Sequence, residues 1–249
     1  MIVSVINLSN GRCSDAELHE AIRAINRQVA QDFAPYWGFG GTLRLEGRTS
    51  RKRGIFHQAD MRGDAVLYVW DGIDPDEADG FHTTNYGGVP FGIVYLGLSD
   101  KLEETWTVTL SHEALELIAD PEANLLAQGP HPKYRRRLVY YWFEMCDAVQ
   151  EETYEIDDIP VSNFVLPLYF TSSSEYGGRN DFLGTKTRGS SLRSFGVNPG
   201  GYASYFDPKT GKDHDYYAEE DAIAQQRLRL KRRLRTGRGS LRRRRTLGR

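Results

Sequence analysis

The chain has 249 residues, 39% of them hydrophobic and 12% aromatic, which is enough apolar material for a sizeable folded core with appendages. No apolar run approaches the roughly 20 residues that span a bilayer, and a total of two cysteines, Cys13 and Cys146, excludes a disulfide framework. The net charge of −2 conceals a division: 12 of the 32 Lys and Arg lie in residues 227–249 without a single acid, leaving 20 basic against 34 acidic residues, or −14, over residues 1–226.

Met1 to Asn10 has neither a basic leader nor a long apolar stretch, so it reads as a strand rather than a signal peptide. With both cysteines reduced, the expected setting is the cytoplasm or a particle assembled there. Within that stretch Ile2 to Leu8 is rich in Val and Ile and suits a central strand. Ser14-Asp15-Ala16-Glu17 has the form of a capping box. Leu18, Ile22, Ile25, Val29 and Phe33 then mark an amphipathic helix expected to end before Pro35. His19, within it, reads as a surface histidine. Gly38 to Gly41 is a loop and Thr42 to Glu46 a short alternating strand. Arg48, Arg51, Lys52 and Arg53 mark a solvated loop. Ala65 to Trp70 is an apolar run of strand length closed by Asp71-Gly72. Asp74 to Gly80 is acidic and turn-rich, and His82 to Gly88 reads as a polar loop. Phe91 to Leu96 is another strand, and Asp100 with Glu103 can open the next helix.

That helix carries the chemistry. Thr107 to Pro121 contains His112, Glu113 and Glu116 as H-E-x-x-E. At about 100° per residue, Leu110, Ala114, Leu117 and Ile118 form one apolar stripe. His112, Glu116, Thr109 and Asp120 share another face, with Glu113 beside them. Side chains four apart lie one turn from each other and can converge on one ion. The alternative for the same residues is an ordinary helix with a solvated acidic face.

Strand, helix, three strands and a helix bearing H-E-x-x-E together resemble the N-terminal half of the zincin metallopeptidases, particularly the metzincin-like branch. The resemblance covers residues 1–121. The string S-H-E-x-x-E-x-x-x-D-P is also similar to one in uncharacterised bacterial zincin-like proteins, which specify no substrate. The resemblance implies an α+β fold in which a twisted mixed sheet packs on a long N-terminal helix and an active-site helix, followed by an irregular C-terminal subdomain. It further implies that the strand before the active-site helix, within Tyr86 to Tyr95, is the sheet edge on which a peptide pairs. The function it implies is metal-dependent hydrolysis of a peptide or protein, with Glu113 as general base and His112 and Glu116 as metal ligands.

The sequence departs from that family at two points. Glu116 stands where the second histidine is usual, making the site richer in oxygen and widening the choice of ion from Zn2+ to Mn2+ or Fe2+. No distal histidine follows the motif. Asp120 lies about 12 Å along the helix axis from His112, too far to share an ion, and is read either as support behind a ligand or as structural, bound by an Arg or by backbone amides after Pro121. The third ligand is therefore expected farther on. Glu144 is the first choice and Asp147 the second, either as ligand or as support for a ligating histidine. Leu138 to Val149 is compatible with helix or strand, and an ion pair of these acids with Arg135, Arg136 and Arg137 is the competing reading. Met145 stands where a metzincin Met-turn would, or simply packs in the core. His82 and His131, both expected in loops, are lesser ligand candidates.

Thr153 to Val165 reads as a hairpin turning at Asp157-Asp158, and Asn198 to Tyr202 as a turn into a strand. Tyr169, Tyr202 and Tyr205 are either transition-state donors or packing residues. The organisation expected is residues 1–121, residues 122–217, and residues 218–249 as a helical start followed by an arginine-rich tail. That tail has too few apolar residues to fold alone. Nucleic acid or an acidic protein surface fits it, and an anionic membrane fits less well. The rival to a hydrolase is a catalytically weak or inactive zincin-fold binding protein that uses the tail for an anionic partner.

Overall fold

The computed structural model describes residues 1–48, 56, 60–72, 80–85, 87–97, 99, 105–172, 178–187 and 189–218. The protein is α+β. Its larger sheet is mixed, with strands β1 (Ile2–Leu8), β2 (Thr42–Glu46), β3 (Ala65–Trp70), β4 (Gly80–Thr84) and β5 (Pro90–Tyr95) in the order β2-β1-β3-β5-β4. All neighbours are parallel except β4, which runs antiparallel to β5. Val3, Val5, Leu67, Val69 and Val94 face one core, whereas Ile6, Val66, Tyr68, Phe91 and Ile93 face another. Burial on both faces is why β1 and β3 read as nearly unbroken apolar runs rather than as alternation.

Two expectations change here. The residues from His82 form an edge strand rather than a loop, and β5 lies inside the sheet, so among the described strands the outermost one beside the helix is β4. The glycines on either side of 81–84 suggested a loop, yet Phe81, Thr83 and Thr84 are good strand formers once β5 offers a partner.

Helix α1 (Asp15–Arg27) starts at Ser14, whose hydroxyl accepts from the Glu17 amide while the Glu17 carboxylate accepts from the Ser14 amide. It runs into a π-helical segment (Gln28–Phe33) and then α2 (Ala34–Trp37). The helical path therefore passes Pro35 instead of stopping before it. The wider π turn absorbs one residue, so Pro35 falls at the opening of a new α turn, where its missing N–H is not needed. Gly38, at φ 74°, ends the path in the left-handed conformation.

Helix α3 (Trp106–Ala119) carries the H-E-x-x-E residues and packs against β4 and β5 on one side and β9 (Ile159–Ser162) on another. Its expected opening at Asp100 and Glu103 lies outside the described residues. A buried polar link fixes its position. The Gln28 side-chain amide donates to the Ser162 carbonyl at 2.8 Å and accepts from Ser111 Oγ at 2.8 Å, and Ser111 Oγ accepts from the Ser162 amide at 3.1 Å. Gln28→Leu strands two buried partners and is expected to cost about 1–3 kcal/mol, measured as a lower denaturation midpoint. An unchanged midpoint would remove the link from the account of how α3 is held.

The part after α3 is more regular than expected. Strands β6 (Leu126–Pro130), β7 (Leu138–Trp142), β10 (Tyr202–Asp207) and β11 (Lys212–Tyr217) form an antiparallel sheet ordered β11-β10-β7-β6. The hairpin of β8 (Thr153–Ile156) and β9 turns at Asp157 and Asp158, with φ of 52° and 63°, values that Asp tolerates better than most residues. The Leu138–Val149 ambiguity resolves as strand β7 followed by a turn and a 3₁₀ segment at Asp147–Val149. Among the described residues no helix is long and apolar enough to cross a membrane. The expected helical start and arginine-rich tail fall, apart from Ala218, outside them.

Candidate metal centre

Helix α3 is buried nearly all round, so its second face is not solvated: Thr109, Glu113, Glu116 and the Asp120 that follows the helix are all buried. Acids in such a place need partners. Asp120 finds its partners in backbone amides, accepting from Leu125 at 2.8 Å and also from Asn124. Burial raises its pKa and these two donors oppose the shift; backbone amides were one of the two kinds of partner expected from the sequence.

The remaining acids gather around two histidines. His112 Nε2 lies 3.2 Å from Glu116 Oε1, one helical turn on, and 3.4 Å from Asp147 Oδ1. The turn after β7 delivers Asp147, and the Cys146 amide donates to Glu116 Oε1 at 3.1 Å, orienting that carboxylate. On the other side, His82 from β4 places Nδ1 3.5 Å from Glu113 Oε2 and 3.7 Å from Glu116 Oε2, while its Nε2 lies 3.9 Å from Glu144 Oε2. The ligand atoms of His112, Glu116 and Asp147 lie within 4.8 Å of one another, and so do those of His82, Glu113 and Glu116. Glu116 belongs to both groups.

The two acids of the turn thus sit differently from the order of preference read in the sequence. Asp147 faces His112 and Glu116, and Glu144 faces His82. His82, a lesser candidate, is central because β4 is a strand that passes over α3. Gly80 permits that approach, since a Cβ there would lie 2.6 Å from Glu113 Oε1. The available signal was the run Phe81-His82-Thr83-Thr84 between glycines, with His82 on one side of a possible strand. The pairing with β5 that turns it toward Glu113 is not local.

His131 lies elsewhere: its Nδ1 accepts from the Lys133 and Tyr134 amides, and its ring packs on Tyr205. Met145 is fully buried core. Tyr169 donates to the Gly196 carbonyl, Tyr202 packs on Tyr217, and Tyr205 stacks on His214. Tyr169 and Tyr202 also line a small pocket with Trp142, Glu144, Asp147 and Ser204. In place of an ion pair with Glu144 or Asp147, Arg137 pairs with Asp207 at 2.6 Å.

Burial alone would push both histidines toward the neutral form. For His82 the Glu113 carboxylate and the charges of Glu144 and Glu116 outweigh it and raise the pKa to about 9. For His112, Glu116 and Asp147 overcome burial and hold the pKa well above the ordinary value. Burial raises Glu116 to about 7, with His112 opposing and Asp147 and Glu144 adding to the rise. A His82 pKa above its ordinary 6.5 gives stability that is complete below pH 6.5 and lost as the pH rises through about 9. Chelator-stripped protein is therefore expected to melt at progressively lower temperature between those values. Divalent cation should reverse the loss, because protons and cation compete for the same atoms. A melting temperature constant across that range, with and without cation, would contradict this.

The donor set fits a metal ion. A tetrahedral ion with ligand bonds of about 2.0–2.1 Å separates its ligand atoms by about 3.3–3.4 Å, close to the two distances around His112 Nε2. Glu113 Oε2 and His82 Nε2 are buried without a hydrogen-bond partner, which protein interiors rarely tolerate outside functional sites. Comparison of this chain with protein-family models, with curated proteins and with solved structures finds no match.

Proposed function

We propose that this chain is a metal-dependent hydrolase of the zincin type, acting on a peptide or protein. The observation that carries the reading is the meeting of His112 and Glu116, one turn apart on α3, with Asp147 at 3.2 and 3.4 Å spacing. The sheet order, with the antiparallel strand β4 outermost among the described strands and packed against that helix, supports the same reading. His112, Glu116 and Asp147 would hold Zn2+, with Mn2+ or Fe2+ as alternatives that suit two carboxylates. When bound, the cation supplies a Lewis acid that polarises a scissile carbonyl.

The chain's residues supply the rest. Glu113, buried next to the triad, accepts the proton of an attacking water and returns it to the leaving amine. Strand β4 stands at the edge of the sheet among the described strands, the position at which an extended peptide can add as a further strand. Its Gly80 end lies against Glu113, which would bring such a peptide close to the acids. Asp147 combines charge with position, since the same turn that carries it also orients Glu116 through Cys146. A role for residues 227–249 in binding nucleic acid or an acidic protein surface rests on charge alone.

The test is elemental analysis of the purified chain, stripped and then refilled, together with release of new amino termini from an unfolded protein substrate. At least one transition-metal ion per chain and cation-dependent cleavage are expected. A chain that takes up no such ion overturns the reading.

A further inference from the structure

We propose that a second divalent cation binds between His82, Glu113 and Glu116, so that the Glu116 carboxylate bridges two metal positions. This rests on the hydrolase reading only in taking the first cation to be held by His112, Glu116 and Asp147.

Three observations carry it. Glu116 presents different oxygens to the two histidines: Oε1 lies 3.2 Å from His112 Nε2, and Oε2 lies 3.7 Å from His82 Nδ1. A carboxylate used in this way holds two ions about 3.5–4 Å apart, the spacing of two-metal hydrolytic sites. Next, Glu113 Oε2 is buried, has no hydrogen-bond partner and points at His82 Nδ1 from 3.5 Å. Its side chain is 5% exposed and that of His82 3%, so both are shielded from water that could otherwise solvate them. An ion between these atoms gives Glu113 Oε2 a ligand bond where it now has no hydrogen bond.

Charge is the third observation. Glu113, Glu116, Glu144 and Asp147 bring four carboxylates to two imidazoles. One divalent cation with neutral histidines leaves two negative charges in a buried site, whereas two such cations balance all four. Glu144 takes its place in that arrangement through His82 Nε2, 3.9 Å away: a histidine that ligates through one nitrogen directs the other toward a carboxylate. With the second position filled, Glu113 is a ligand; with it unfilled, Glu113 is a proton acceptor.

The test uses the full chain, stripped with chelator and refilled with Mn2+. Elemental analysis is expected to give two Mn2+ per chain, and the low-temperature electron paramagnetic resonance spectrum to show a spin-coupled pair. His82→Ala should halve the count and return the spectrum of an isolated ion, as should His112→Ala from the other side. One Mn2+ per wild-type chain with an isolated-ion spectrum overturns the proposal. It would mean that His82 merely forms a protonated ion pair with Glu113 and Glu116. Two ions that survive in His82→Ala overturn the assigned position. No ion at all defeats the hydrolase reading as well, so the two failures are told apart. Should His82→Ala fail to fold, the wild-type count and spectrum still decide.

Discussion

Glu113→Gln is expected to lower hydrolysis by about 10²–10⁴-fold, the usual worth of a positioned proton-transfer group, while the chain still carries an ion at His112, Glu116 and Asp147. The amide is nearly the size of the carboxylate, so the fit against Gly80, where a Cβ would already collide at 2.6 Å, is preserved. What is lost is a charge and an acceptor. His112→Ala should behave differently, losing the ion held with Glu116 and Asp147 and the activity together, because a triad with one imidazole cannot spare it. The measurement pairs the turnover of a peptide substrate with metal content in the same preparation. Glu113→Gln with wild-type turnover would end the role assigned to Glu113. The ion count of this variant also separates two functions of one residue. Unchanged metal with lost activity marks proton transfer alone, and one ion fewer marks ligation at His82.

Gly201→Ala is expected to disable the centre from a residue that touches no ion. A Cβ at Gly201 would lie 2.2 Å from the Ala148 carbonyl oxygen, 2.6 Å from its carbon and 3.1 Å from the Asp147 carbonyl oxygen. All three are backbone atoms, so no side chain can swing aside. Strand β10 and the 3₁₀ segment of Asp147–Val149 must separate, and Asp147 moves with that segment. Overpacking of this kind costs about 1–3 kcal/mol and sometimes more, seen as a lower melting temperature. The sharper readout is cation affinity. A shift of a few tenths of an ångström at Asp147 spoils a 3.4 Å approach to His112 Nε2, so Mn2+ affinity should fall by at least tenfold. Gly47→Ala is the control, since a Cβ there meets nothing within 4 Å. Equal cation affinity in Gly201→Ala and wild type would show that β10 does not hold Asp147 in place.

Much of this arrangement is local and was therefore legible in the sequence. The Ser14–Glu17 cap, the strands Ile2–Leu8, Thr42–Glu46 and Ala65–Trp70, and the turn at Asp157-Asp158 follow from chemistry within a few residues. The same holds for His112 and Glu116, whose meeting depends only on one turn of helix. The path through Pro35 was missed because a π turn records packing of Gln28, Val29 and Phe33 into the core, and no nearest-neighbour rule for proline anticipates it. His82, named in the sequence only as a lesser candidate in a loop, is in a strand for a related reason. Its strand exists because β5 pairs with it, and its ring reaches Glu113 because Gly80 lets β4 lie against α3.

The sequence by itself determined which residues could bind a cation on one helix and that an acid from 144–147 was a candidate to join them. Only the tertiary structure decided that Asp147 faces His112 while Glu144 faces His82. That division depends on a sharp turn after β7, held by the Cys146 amide on Glu116 and by the close approach of Gly201 to Ala148. Helical periodicity fixes neighbours three and four residues apart. Contacts 30 to 50 residues apart are fixed instead by how strands register and how closely backbones can pack.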